Sequence, residues 1–333
     1  MIGIAAALAV GVIVLAFMWP AKTSTPQHLL VSISGPAPAV TVVQAGLAEK
    51  APDLFDFVEA TDRADAVAQI ERRESYGAIV LPDVPGTAPE VLTAPAAGAA
   101  PAQLLTQIAA QLQAQASQAA AAAGLDPAAV KVQVTQIVPL AETDPTGAGL
   151  AAASFPLTIG GMIGGVLISF VVVGAGRRVA AIIGFGASVG LVLSLVLHTW
   201  FGFIPGDFWS TALVMGLSIA ATASFIVGSV ALLGRAGIAL SVILTMFVGN
   251  TLSGAAMPWQ FLLQPWGAIG QFFVPGAANE LIRKVSYFPD ADASMQWWIL
   301  SAWAALGIVL TLVGRAKPLA AAGASPAPAI ATA

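Results

Sequence analysis

Side chains able to do acid–base, nucleophilic or metal chemistry are few in this chain, and they do not cluster. There is no cysteine, which excludes disulfides, thiol nucleophiles and thiolate metal sites. The two histidines, His28 and His198, stand apart from any carboxylate cluster at ligand spacing, so no metal centre or Ser–His–Asp triad is expected. No G-x-x-x-x-G-K-[ST] run occurs, and a phosphate-binding loop of that type is therefore absent. The expectation is a chain with no catalytic residue, no cofactor and no metal, and so not an enzyme. The charged residues left to consider are of two kinds. Glu280 and Arg283 lie three apart, so a helix would set them on one face as an ion pair. Arg177, Arg178 and Arg235 stand in short loops, where a partner protein or anionic lipid would meet them.

The elements that hold these residues are set by composition. The chain is 58% hydrophobic and 9% charged, against about 25% charged for a soluble domain. Its surface must therefore face lipid over much of its area. A net charge of −4 gives no reason to expect nucleic acid. A spanning helix needs about 20 apolar residues. Six stretches qualify: 2–19, 149–174, 179–199, 209–234, 236–254 and 295–314, none with Asp, Glu, Lys or Arg. The first lacks the basic start of a signal peptide and reads as an uncleaved anchor. Charge-free spans disfavour proton coupling. Thr245, Asn250 and Ser253 are the polar exceptions near the end of the fifth.

Arg177 and Arg178, Arg235, and Arg315 with Lys317 occupy alternate short loops, which by the positive-inside rule are cytoplasmic. Both termini are then cytoplasmic. Trp200, Trp209, Trp259, Trp266, Trp297 and Trp298 form an outer aromatic belt. Gly160 and Gly164, Gly161 and Gly165, and Gly186 and Gly190 are pairs four apart. Such pairs let helices approach closely, within one chain or across a dimer seam, and those of the second span are the candidate seam.

Between the first two spans the composition turns polar. Segment 28–34 (HLLVSIS) reads as a strand, 39–50 as a helix and 56–60 as a short strand. A helix capped at Thr61-Asp62 runs to Glu74 with Ala64, Val67, Ala68 and Ile70 on its inner face. Segment 76–81 is a strand, 90–93 another, 101–123 a long Ala/Gln helix, and 131–138 an alternating strand. Segments 94–101 and 141–149 read as linkers. The predicted organisation is a first transmembrane helix (1–20), an extracytoplasmic α/β domain (21–148), and a five-helix transmembrane domain (149–333). The last includes an outer re-entrant segment (255–294) and a short cytoplasmic tail. The fold class is an α-helical polytopic membrane protein with about six spans.

Residues 249–288 read GNTLSGAAMPWQFLLQPWGAIGQFFVPGAANELIRKVSYF. This resembles the stretch between the last two spans of type-2 ABC exporter permeases. There a Ser-Gly pair, successive prolines and a closing arginine mark short re-entrant helices on the outer side. The matching residues are Ser253, Gly254, Pro258, Pro265, Pro275 and Arg283. One helix, a large outer domain and five helices is similar to the phage-infection-protein (YhgE/Pip) branch of that family. Segment 63–82 (RADAVAQIERRESYGAIVLP) resembles a helix-strand-proline phrase common in the branch, and 144–150 (DPTGAGL) looks like its actinobacterial members. The resemblance implies the membrane subunit of an exporter in a bacterial plasma membrane. It implies a separate P-loop ATPase, pairing into a dimer, and an apolar or amphipathic cargo. Two features depart from that family: the loop between the second and third spans is too short for a docking helix, and no amphipathic helix opens the chain. They favour the alternative of a non-transporting envelope scaffold or receptor acting through its outer domain.

Overall fold

The computed structural model describes residues 2–84, 87–122, 124, 126–128, 130–255 and 257–314. The protein is mostly helical, with one small sheet. The chain opens with α1 (Ile2–Thr23) and then builds an α/β domain. In order this domain comprises β1 (Leu29–Ser34), α2 (Ala37–Lys50), β2 (Phe55–Glu59), α3 (Arg63–Glu71), β3 (Gly77–Val80), β4 (Glu90–Thr93), α4 (Ala99–Ala122) and β5 (Gln133–Gln136). The strands lie in the order β2-β1-β3-β4-β5. β1 pairs parallel with β2 and β3, β4 runs antiparallel to β3, and β5 parallel to β4.

Central β1 is covered on both faces, as a parallel strand with crossover helices should be. Leu29, Val31 and Ile33 are buried among Ala78, Ile79, Leu92, Ile70 and Leu105. Its one deep polar group, the Ser32 hydroxyl, donates to Gln69 Oε1 at 2.6 Å and lies 2.8 Å from the Ser75 hydroxyl. Gln69 in turn donates to the Glu59 carbonyl. This network corrects the face predicted for α3, whose buried residues are Ala66, Gln69 and Ile70, with Ala64 exposed. A buried amide is tolerated because every bond it needs is supplied.

The start of α3 follows from its sequence. The Asp62 carboxylate accepts from the Asp65 amide at 2.8 Å while the Asp65 carboxylate accepts from the Thr61 amide at 2.9 Å, a reciprocal cap. The helix stops three residues before the predicted Glu74 because Arg73 adopts a positive φ of 58°.

Edge strand β5 is held by charge. Glu90 accepts from Arg63 at 2.7 and 2.9 Å and from Thr135 of β5 at 2.6 Å. The Arg63 hydrogen bonds, foremost, and the Thr135 hydroxyl hold the Glu90 carboxyl below its usual value of 4.5, against the opposing effect of burial. A depressed folded-state pKa contributes stability above the unfolded value and loses it as the pH falls through the folded one. The α/β domain should therefore loosen on acidification below about pH 4.5, and Glu90→Gln should flatten that dependence. Thermal melts of the two proteins across an acid series measure it, and identical slopes would remove Glu90 as the cause.

The helical part contains α5 (Ala148–Val171), α6 (Ala175–Ser194), α7 (Phe208–Leu233), α8 (Arg235–Val242), α9 (Trp266–Gly270), α10 (Val274–Tyr287) and α11 (Ser294–Val313). π-helical turns extend α6 through Leu195–Trp200 and α8 through Ile243–Asn250. Among the described residues, four helices are long and apolar enough to cross a membrane: Ala148–Val171, Ala175–Trp200, Phe208–Leu233 and Ser294–Val313. That is fewer than the six spans predicted. Val10–Pro20 within α1 and Arg235–Asn250 are apolar but shorter. The last has 16 residues, about 24 Å at 1.5 Å per residue, less than a bilayer core of roughly 30 Å. The predicted fifth span 236–254 overran because Thr251–Ser253 already turns.

α7 is the axis of this bundle and the most buried of its four long apolar helices; α5, α6 and α11 pack along it. Gly161 and Gly165 of α5 face Thr222, Ala223 and Ile226 of α7, Gly160 faces Ile219, and Gly164 faces the Phe185 ring of α6. Gly186 and Gly190 of α6 meet Ala212, Gly216 and Ala220 of α7. These glycine pairs are thus occupied by packing within one chain, which accounts for their spacing.

Candidate functional site

The structured connection after Asn250 is where the two halves of the molecule meet. Pro258, Pro265 and Pro275 in this connection each stand at a helix start, where a missing N–H costs nothing. Pro258 precedes a 3₁₀ turn (Trp259–Phe261), Pro265 precedes α9, and Pro275 lies in the first turn of α10. The Gln264–Pro265 peptide is cis, and Gly254 has a φ of +69°. Ser253 is buried, its hydroxyl donating to the Asn250 carbonyl at 2.8 Å and its own carbonyl accepting from Gln271.

The α/β domain is fastened to this connection at several points. The Thr25 amide donates to the Phe261 carbonyl at 3.0 Å, and Gln27 Nε2 donates to the carbonyls of Gln260 and Leu262. The Tyr76 hydroxyl donates to Gln260 Oε1 at 3.0 Å, and burial pushes its phenol above its ordinary pKa. Arg73 reaches Glu280 of α10 at 2.9 Å, its guanidinium lying against the rings of Phe288 and Tyr76 at 5.0 and 5.7 Å. Arg283 donates to the Ala96 carbonyl at 2.7 Å.

Two sequence expectations need correction here. Glu280 does not pair with Arg283. Its ion-pair partner is Arg73, delivered from the other half of the molecule by the left-handed residue that ends α3. Segment 94–101 is also no free linker. Ala94 and Ala96 are fully buried, because small side chains let this backbone run under α10 and present a carbonyl to Arg283.

Between the halves lies a cavity of about 160 Å³. Arg73, Tyr76, Asn279, Glu280 and Arg283 line it together with Thr146 and Gln271, with Pro258 and Trp259 beside them. Ser253 and Gly254 also line it; Pro265 and Pro275 do not. Two guanidiniums face one carboxylate. Burial, first, and the repulsion of Arg73, second, draw Arg283 below its ordinary pKa. Burial does the same to neighbouring Lys284, whose ammonium donates to the Asp292 carbonyl. Asn279 Oδ1 accepts from the Ser154 hydroxyl of α5, which joins the site to the helical bundle. Arg73, Asn279 and Gln260 escape sequence reasoning, since their partners are remote in the chain and no local spacing announces them.

The remaining predicted residues lie elsewhere. Arg178 closes α5, donating to the carbonyls of Val172 at 2.9 Å and Ser169 at 3.0 Å, groups a helix end leaves unpaired. Arg177 and Arg235 are exposed in the first turns of α6 and α8, which follow the short turns after α5 and α7. Arg315 and Lys317 lie outside the described residues. His28 sits 3.3 Å from Asp56 on the surface, and His198 Nδ1 lies 2.8 Å from the Ile204 carbonyl. No group of metal-ligating side chains occurs among the described residues. Comparison with family models, with curated proteins and with solved structures returns no match.

Proposed function

We propose that this chain is the membrane subunit of an exporter of the ABC-2 type, working with a separate P-loop ATPase to move an apolar or amphipathic substrate outward across a bacterial plasma membrane. In this reading α1 and the Arg235–Asn250 helix also cross the bilayer, giving six crossings. Both termini and the arginine-bearing turns are then cytoplasmic, the α/β domain is extracytoplasmic, and two copies pair. The observation that carries it is the proline-started connection 255–294. Its short helices stay at one end of the bundle, and they are bonded both to the α/β domain through Arg73–Glu280 and to α5 through Ser154–Asn279. Movement of the helices would thus be felt by the domain.

One observation favours a second reading, an envelope scaffold or receptor without transport. The turns after α5 and α7 are Val172–Gly174 and Gly234 alone, which leaves an ATPase little to grip. Affinity purification of the full chain from its native membranes separates the two. A stoichiometric P-loop ATPase whose hydrolysis rate changes in the complex is the expected result. Its reproducible absence, with envelope proteins recovered instead, would transfer the assignment to the scaffold.

A further inference from the structure

We infer that the cavity between the α/β domain and α10 is a binding site for a phosphate group, held by Arg73, Arg283 and Asn279. The argument starts from charge. Among the residues lining the cavity, Arg73 and Arg283 are the bases and Glu280 is the single acid, so one positive charge has no counter-charge on the walls. The Arg73 side chain is 7% exposed and already paired with Glu280 at 2.9 Å, so the charge left without a counter-charge is that of part-buried Arg283, and a charge withdrawn from water needs an opposite one close by.

Hydrogen bonding points the same way. Arg73 Nη1 and Asn279 Nδ2 are buried donors with no partner among the described residues. Arg283 commits Nη1 to the Ala96 carbonyl, and its other N–H groups make no hydrogen bond among the described residues. An orphaned buried donor costs free energy that a bound acceptor restores. Three donor-bearing side chains, from the end of α3 and from successive turns of α10, therefore border one space with donors left over after Glu280 and the Ala96 carbonyl are used.

The shape of the missing acceptor follows. Guanidinium forks match oxyanions in pairs of parallel hydrogen bonds. A carboxylate offers two oxygens in one plane, whereas a tetrahedral phosphate presents oxygens to donors arriving from different elements. A phosphodiester carries a single negative charge, equal to the uncompensated charge of the walls. Trp259, Met257, Pro258 and Leu140 give the same cavity an apolar side, and an acyl or glyceryl portion could lie against it. The phosphate has two possible sources, the headgroup of a lipid or a soluble phosphate. The site stands whether or not the exporter assignment holds.

The test uses the full-length protein in a phosphate-free, uncharged detergent. Three probes are titrated while thermal stability and calorimetric heat are followed: dihexanoyl phosphatidylglycerol, inorganic phosphate, and dihexanoylglycerol, which lacks the phosphate. Saturable binding of either phosphate compound, with none of dihexanoylglycerol, is the expected result. The lipid binding more tightly assigns a headgroup; inorganic phosphate binding at least as well assigns a soluble source. Arg283→Gln should weaken the binding roughly tenfold to a hundredfold, the loss of charged hydrogen bonds. Asn279→Asp keeps the acceptor that Ser154 uses and sets a negative charge in place of the free amide. It should weaken binding similarly while melting near the wild type without ligand, so a folding defect in the first variant would not hide the answer. Failure of both phosphate compounds to bind the wild type, or equal binding by wild type and Asn279→Asp, would overturn the proposal.

Discussion

Glu280→Gln is expected to destabilise the protein by about 3–5 kcal/mol, the cost of removing one member of a buried ion pair. The side chains of Arg73 and Glu280 are 7% and 18% exposed, so solvent screens their attraction poorly. The neutral amide still accepts a hydrogen bond, but it leaves Arg73 and Arg283 facing one another with no carboxylate between them. Removing both partners tells the cost of the orphaned charge from the worth of the pair. Arg73→Met with Glu280→Leu should recover much of the loss, since apolar replacements of buried pairs are often near neutral. Denaturation of the full chain, Arg73→Met, Glu280→Leu and the double variant in one detergent closes the cycle. Added phosphate should raise the midpoint of Glu280→Gln more than that of the wild type, because the cavity then carries a second unbalanced charge. A single variant as stable as the wild type would reduce Arg73–Glu280 to a surface contact.

The same residues explain what sequence could and could not reveal. Pro258, Pro265 and Pro275 were legible as helix breaks because proline's fixed φ and missing N–H act on its own backbone; that each also opens the next helical piece is read from the structure. The strands were legible for a similar reason, since the apolar run in 28–34 and the alternation in 131–138 are local patterns, although only Gln133–Gln136 of the second pairs as a strand. Glu280–Arg283 was a local inference of the same kind, and it failed, since an i,i+3 pair competes with any stronger partner that the fold delivers. That partner, Arg73, is 207 residues away and reaches the cavity through a left-handed turn that nothing in its neighbourhood demands. The inner face of α3 failed likewise. Gln69 counts as polar in any periodicity, yet Ser32 on another element makes its burial acceptable. Composition also misjudged 94–101, where alanine and glycine signal close backbone packing as readily as flexibility. The apolar runs were all visible. Hydropathy alone does not register that the helix Arg235–Asn250 closes in a π-helical turn after 16 residues.

Gly307→Leu should be among the most damaging single changes in the helical bundle, costing about 3 kcal/mol or more by overpacking. α11 lies so close to α7 that a Cβ on Gly307 would stand 2.2 Å from the Ser224 carbonyl carbon and 2.4 Å from the Phe225 amide nitrogen. Both are backbone atoms of the most buried helix, so no rotamer change relieves the clash and the two helices must separate. Separation would also disturb the Trp303 ring, which packs edge-on against Phe225 at 4.8 Å and donates to the Phe272 carbonyl at 2.8 Å. Through that bond the damage passes from the bundle to the connection that carries the cavity. Gly184→Leu is the matched control: it adds the same side chain to α6, where nothing lies within 4 Å of the new Cβ. Yield in the membrane fraction and midpoint of thermal aggregation in detergent should fall sharply for Gly307→Leu and stay near wild type for Gly184→Leu. Equal behaviour of the two would mean that the contact of α11 with α7 is looser than the packed geometry requires. Small residues on these helices would then serve the lipid face rather than the interior.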